Sequence, residues 1–245
     1  MNLLNITAII NMDLNREEID KFLVEYANKY HTESFIKDDP VQFPHRYTKK
    51  QDIEISGFIT AFLSFGARPQ ILKAADRVDV IMNHSPHEYV CGDSWKVDFV
   101  GTDSFYRTVP KDKMREIFRW LNDIYSRYDS MEDALNEQKG NPMERLCTLW
   151  GVTTKSPQKK VNMFLRWMIR RDSPVDFGIW HSFSPTELII PLDTHVSDMS
   201  FRLGLTKSKS YTLNNAKKIT VELGRLFPED PCLGDFALFG FGVNE

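Results

Sequence analysis

The sequence predicts an all-α protein. Three observations carry that prediction: apolar residues recur every three or four positions along most of the chain, the runs open on capping residues or on proline, and only Trp95 to Val100 reads as extended. With 245 residues, 42% hydrophobic and 12% aromatic, the chain can bury a large core. It reads as a single helical domain over 1–245, or as two closely packed lobes, one formed by about 52–150 and the other by the remainder.

Taken in order, Asn15 and Glu18 form a capping-box pattern, followed by Ile19, Phe22, Leu23, Tyr26 and Tyr30 at helical spacing. Ile53 to Phe65 is apolar nearly throughout, which suits a helix surrounded by others. A loop over Ser64–Arg68 follows, and Pro69 stands in the first turn of the next helix. Met114, Ile117, Phe118, Leu121, Ile124, Tyr125 and Tyr128 mark a long helix ending near Asp129, and Ser130 with Asp133 caps a short one after it. Pro142 and Pro157 each open a helix, the second continuing through Val161, Phe164, Leu165, Met168 and Ile169. Ser184-Pro185-Thr186-Glu187 is another capping box and predicts a brief helix toward Ile190. Asp193 can cap a helix through Val196, Met199 and Leu203 that stops near Gly204. Leu213, Ala216, Ile219, Thr220, Leu223 and Leu226 give one more helix, and a last short one spans Leu233 to Phe239.

Composition excludes several classes. No apolar run is long enough to cross a membrane, and Met1 to Asn11 lacks the basic and apolar regions of a leader, so a cytoplasmic protein with no membrane partner is expected. Cys91, Cys147 and Cys232 are far apart and read as free thiols, the usual state of such cysteines in that compartment. There is no glycine-rich phosphate loop, no Ser-x-x-Lys and no paired-histidine motif, so neither a cofactor nor a metal is expected. The first 150 residues carry 19 basic against 24 acidic side chains and the rest 12 against 10. Within the latter, Lys155, Lys159, Lys160, Arg166, Arg170 and Arg171 run without an intervening acid, and Arg202, Lys207, Lys209, Lys217, Lys218 and Arg225 are broken only by Glu222. Such runs are ordinarily solvated helix faces; two together can also supply phosphate contacts.

The segment with a chemical signature is Pro191-Leu192-Asp193-Thr194-His195-Val196, continuing to Arg202-Leu203-Gly204-Leu205. It resembles the aspartate motif of the helix-hairpin-helix GPD superfamily of DNA glycosylases, the endonuclease III-like and 8-oxoguanine enzymes. Upstream, Gln158-Lys159-Lys160-Val161-Asn162 is similar to the segment that carries that superfamily's catalytic lysine. The order, lysine at a helix start and then aspartate, is the superfamily's own. Asn162 to Met168 together with Ile189 to Val196 looks like a bacterial branch of it found in Bacteroides-type organisms. The hairpin departs from the superfamily's pattern: Gly151 to Gln158 holds one early glycine where the family has several close to a DNA phosphate. The interval from Lys159 to Asp193 is closer to the archaeal 8-oxoguanine branch, and the four-cysteine iron-sulfur loop is missing, so no cluster is expected.

The resemblance implies a helix-hairpin-helix glycosylase-like fold and a base-excision enzyme, bifunctional with AP-lyase activity, that removes an oxidised purine such as 8-oxoguanine. It acts as a monomer on double-stranded DNA with a damaged base. Lys159 is then the nucleophile that attacks C1′, activated by a neighbouring Lys160 and partial burial, and Asp193 the carboxylate that stabilises positive charge on the sugar. Lys155, Gln158, Lys160, Arg166, Thr194 and His195 are the candidate DNA contacts. Each residue also has a plain structural reading. Asp193 is an ordinary N-cap, Lys159 a solvated charge with Lys160 as its competitor, Arg166 an exposed helix position, His195 a structural hydrogen-bonder, and Trp150 and Trp167 core. A noncatalytic DNA-binding protein that kept the glycosylase fold, or a helical scaffold with no DNA role, are the alternatives.

Overall fold

The computed structural model describes residues 15–244; the stretch Met1 to Asn11, read above as carrying no leader, lies outside them. The described chain is all-α with one small hairpin. It divides into two compact units, one of residues 15–35, 141–143 and 153–244, the other of 36–140 and 144–152. Among the described residues no helix is long and apolar enough to cross a membrane.

The second unit holds helices α2 (Lys50–Leu63), α3 (Arg68–Ile81), α4 (Pro86–Cys91), α5 (Trp95–Asp98), α6 (Lys111–Tyr125) and α7 (Met131–Asn136), and the antiparallel pair β1 (Ser104–Tyr106) and β2 (Val109–Pro110), in which Ser104 faces Pro110 and Tyr106 faces Val109. Every residue of α2 from Ile53 to Leu63 is buried, as its unbroken apolar run requires. The ring of Phe58 lies 4.7 Å from Trp120 and 5.1 Å from Trp150. Glu54, wholly buried on the same helix, accepts hydrogen bonds from the Tyr125 hydroxyl at 2.8 Å and the Met131 amide at 2.9 Å, which lets a carboxylate sit in the core.

Two elements of this unit differ from the periodicity. Trp95 to Val100 is not extended: Trp95–Asp98 is a helical turn. Trp95 and Phe99, four positions apart, are buried and Val97 between them is exposed, the spacing of a helical face; in a strand all three would share one face. The indole of Trp95 donates to the carbonyls of Val90 and Gly92, anchoring that turn. The long helix stops at Tyr125 rather than near Asp129, because Met131, capped from Ser130, starts a new element whose amide is taken by Glu54.

The first unit contains α1 (Arg16–Tyr30), α9 (Lys159–Ile169), α10 (Thr194–Arg202), α11 (Leu213–Leu226) and α12 (Leu233–Asn244); α8 (Pro142–Trp150) lies at the sequence junction of the two units. α12 runs past Phe239, where a shorter helix was expected, because its apolar character continues through Phe241 and it packs along α1. Phe22 and Tyr26 meet Phe241 edge to face at 5.2 and 5.1 Å. A Cβ at Gly240 would fall 2.3 Å from the Tyr30 ring, so this glycine sets how closely the two helices approach. Between α9 and α10 the chain folds back on α9. The amides of Phe177 and Trp180 donate to Trp167 and Met168 carbonyls, and Gly178, at φ +59°, turns where a side chain would strike the Arg170 carbonyl at 2.7 Å. The capping box at Ser184 is present, but its turn is a 3-10 segment that ends at Glu187.

Candidate active site

Two segments of the first unit deliver the candidate pair. α9 begins at Lys159, behind Gln158, whose φ of 46° and ψ of 51° put it in the left-handed region. That conformation costs a non-glycine residue about 1–2 kcal/mol. The turn is held by the Gln158 side chain, which donates to the Thr153 carbonyl, and by Asn162, which reaches back to the Pro157 carbonyl at 2.9 Å. Asp193 arrives on an extended segment pinned to α11, where the Ile190 amide donates to Thr220 Oγ1 at 3.0 Å. Its two carboxylate oxygens then divide their duties. Oδ1 accepts the Val196 amide at 3.0 Å and caps α10, while Oδ2 lies 3.3 Å from Lys159 Nζ. The Lys159 side chain is 33% exposed and that of Asp193 13%, so the pair sits at a partly open surface.

The face of α9 behind Lys159 is closed by charge. Arg166 and Arg170, one and two turns beyond Asn162, are both buried. Arg166 Nη1 lies 2.5 Å from Asp235 Oδ2 on α12, and its Nε is 3.4 Å from Asp176. Arg170 pairs with Asp176 and, at 2.7 Å, with Asp230, and both guanidiniums lie over the Phe236 ring at 4.6 and 5.1 Å. This corrects both readings of Arg166, as a DNA contact and as an exposed helix position: its guanidinium is buried against the carboxylates of Asp235 and Asp176. Arg171 is likewise turned to the His181 and Phe183 carbonyls.

Burial shifts several neighbours. Burial, with the charge of Lys159, brings the Lys160 amine down to about 8. Burial lifts the Asp235 carboxyl to about 6, opposed by Arg166 and reinforced by the charge of Asp193. The Tyr211 phenol rises to about 12 through burial and the nearby Asp193 carboxylate. His31, hydrogen-bonded to Ser173 at 2.8 Å, is held down at about 4 by burial and the charge of Arg170.

The structure thus brings Lys159 and Asp193 together. Thr194 and His195 stand exposed on the first turn of α10, Lys155 is exposed in the loop before α9, and Gln158 and Lys160 are partly buried beside the pair. Trp167 is core, with no exposed surface. Asp176, Asp230, Asp235 and Tyr211 have no motif and escaped the sequence reading. The one available signal was two arginines four residues apart on a helix whose other residues are mostly apolar, which asks for buried acids elsewhere in the chain. Among the described residues no group of three or more His, Cys, Asp or Glu side chains is arranged to hold a metal ion.

A family model described as a protein of unknown function (DUF2400) matches residues 39–150 and 141–244. Neither the curated proteins nor the solved structures contain a match to the chain.

Proposed function

Given that the chain belongs to the DUF2400 family of unknown function, we propose its activity from the site itself: a base-excision DNA glycosylase with AP-lyase activity, acting on an oxidised purine in duplex DNA. One observation carries the reading. The amine of Lys159 stands 3.3 Å from the carboxylate of Asp193 at a partly exposed helix start, in the order that the resemblance assigns to nucleophile and carboxylate. A structural ion pair needs no such opening.

The chemistry follows from these two groups. The target nucleotide leaves the base stack, and C1′ gains positive charge as its bond to the base nitrogen breaks and the base departs with the electron pair. Asp193, whose second oxygen is fixed by the Val196 amide, stabilises that charge without reorganising. Lys159 transfers a proton to the carboxylate, attacks C1′ through the freed lone pair and forms a carbon–nitrogen bond. The new ammonium gives one proton to O4′ as the C1′–O4′ bond breaks, which opens the sugar ring and leaves a protonated Schiff base. Loss of a C2′ proton then expels the 3′ phosphate, and water hydrolyses the Schiff base to return the lysine. Lys155, Gln158, Lys160, Thr194 and His195 are the candidate contacts to the strand.

The test is borohydride trapping on duplexes with 8-oxoguanine, other damaged bases or none, using the parent, Lys159→Ala and Lys160→Ala. The expected result is a covalent adduct that requires the damaged base, disappears in Lys159→Ala and persists in Lys160→Ala. Neither adduct nor base release across the panel, from a folded protein that binds DNA, overturns the reading in favour of a noncatalytic DNA-binding protein.

A further inference from the structure

The second basic stretch of the sequence is sorted by the structure into two classes. Arg202 and Lys209 are paired with Asp198 at 2.6 and 2.5 Å, and Arg225 with Glu222 at 2.9 Å. Lys207, Lys217 and Lys218 are exposed, and among the described residues none of the three makes an ion pair or a side-chain hydrogen bond. These three line one concave surface, a cleft of about 650 Å³ between the 204–212 loop and the outer face of α11. Ser208, Ser210 and Thr212 add hydroxyls to the same wall. Glu222, the one acid on the cleft wall, is drawn to Arg16 at 3.3 Å and to Arg225, which leaves the lysines to set the local field.

The cleft is built rather than incidental. Asn215, 3% exposed, donates from Nδ2 to the carbonyls of Ser208 at 3.0 Å and Ser210 at 2.9 Å, and accepts from the Thr206 hydroxyl at 2.6 Å. One buried amide therefore fixes the loop that presents Lys207. The loop is also tied to α10 by the Lys209 to Asp198 pair, and α10 is the helix capped by Asp193. Nine helical residues rise about 14 Å, roughly four steps of a B-form strand at 3.4 Å each. Tyr211, between two cleft-lining residues, is close enough to Asp193 to feel its charge.

We propose that this cleft binds the phosphodiester backbone of DNA, a few nucleotides from the base presented to Lys159 and Asp193. The inference rests on the glycosylase reading for its choice of ligand. Three free ammonium groups and uncharged donors on one concave wall match a run of phosphate oxygens. Contacts to phosphate oxygens position the strand and carry no sequence preference of their own.

The experiment is salt-dependent binding of a 25-mer duplex, by fluorescence anisotropy, to the parent and to the triple variant Lys207→Ala/Lys217→Ala/Lys218→Ala. A second triple variant, Lys73→Ala/Lys113→Ala/Lys139→Ala, removes the same charge from exposed positions elsewhere. Circular dichroism checks the fold, and borohydride trapping runs on the same preparations. Losing three phosphate contacts lowers the slope of log K against log salt by about 2.7. The advantage of the parent over the cleft variant therefore shrinks about 40-fold between 50 and 200 mM salt, while the control keeps the parental slope. An unchanged slope in the cleft variant, an equal loss in the control, or no binding by the parent overturns the proposal. The two readings fail separately. Trapping by the parent with no slope change removes the cleft and leaves the enzyme, whereas a slope change without trapping on any base leaves the cleft and removes the enzyme.

Discussion

Asp193 does two things with one carboxylate, and two substitutions separate them. Asparagine keeps an oxygen at the Oδ1 position, so the hydrogen bond from the Val196 amide at 3.0 Å survives, and asparagine is itself a good cap. What Asp193→Asn loses is the charge opposite Lys159. With that lysine one-third exposed, the pair is solvent-screened and contributes at most about 1 kcal/mol. Asp193→Ala loses the cap as well, a further 1 kcal/mol or so, giving a total of about 1–2 kcal/mol. For catalysis the order is different. In the proposed mechanism both variants remove the anion opposite C1′, and a loss on the order of 10²–10³ in rate is expected from each. The assay is single-turnover base release, on whichever damaged duplex the parent acts upon, with urea unfolding of the same samples. An Asp193→Asn variant that releases base at the parental rate would refute the reasoning and leave Asp193 a helix cap alone.

Removing Arg166 leaves Asp235 and Asp176 buried with less compensation, so Arg166→Ala should lose about 3–5 kcal/mol in urea unfolding, and a loss under 1 kcal/mol would mean that the network contributes little. Asp235 and His31 should bend the pH dependence of stability in opposite senses. The carboxyl, raised from an ordinary 3.8 to about 6, favours folding fully below about 3.8 and loses that contribution as pH rises through about 6. The imidazole, lowered from 6.5 to about 4, favours folding above 6.5 and loses its contribution as pH falls through about 4. Between pH 4 and 6, Asp235→Asn should therefore make stability rise more steeply with pH than in the parent, and His31→Gln less steeply; equal slopes in thermal melts would contradict the assignment. Gly240→Ala drives a methyl to within 2.3 Å of Tyr30, and an overpacking loss of about 1–3 kcal/mol is expected, relieved when Tyr30→Ala is combined with it. A chain ended before Leu233 lacks α12, and limited proteolysis should find the first unit cleaved while residues 36–140 remain protected; equal protection of both would contradict the packing of α1 on α12.

The helices were legible because local chemistry alone specifies them: Asn15 with Glu18, Ser130, Ser184 with Glu187 and Asp193 all cap as their spacing implies. Trp95 to Val100 misled because Trp95, Val97 and Phe99 alternate in the sequence as a strand face does, whereas the structure buries Trp95 and Phe99 alone, and the turn is fixed by the indole's two backbone partners. The pair was legible from motif order. The character of Arg166 was not: its partner Asp235 lies 69 residues away, and no pattern within α9 distinguishes an arginine reaching solvent from one reaching a buried acid. The same limit applies to the Lys207, Lys217 and Lys218 cleft, which emerges only after the ion pairs of Arg202, Lys209 and Arg225 are subtracted from the stretch.

The division of the chain has a consequence for its birth on the ribosome. Residues 36–140 and 144–152 form one unit and emerge in nearly one run, but α1 precedes them and its partner α12 follows at Leu233. At about 5–20 residues per second, roughly 10–40 s separate the appearance of the two helices. Throughout that interval Phe22, Leu23 and Tyr26 wait without the apolar surface that will cover them. The nascent N-terminal helix is therefore the segment for which a chaperone has most to do.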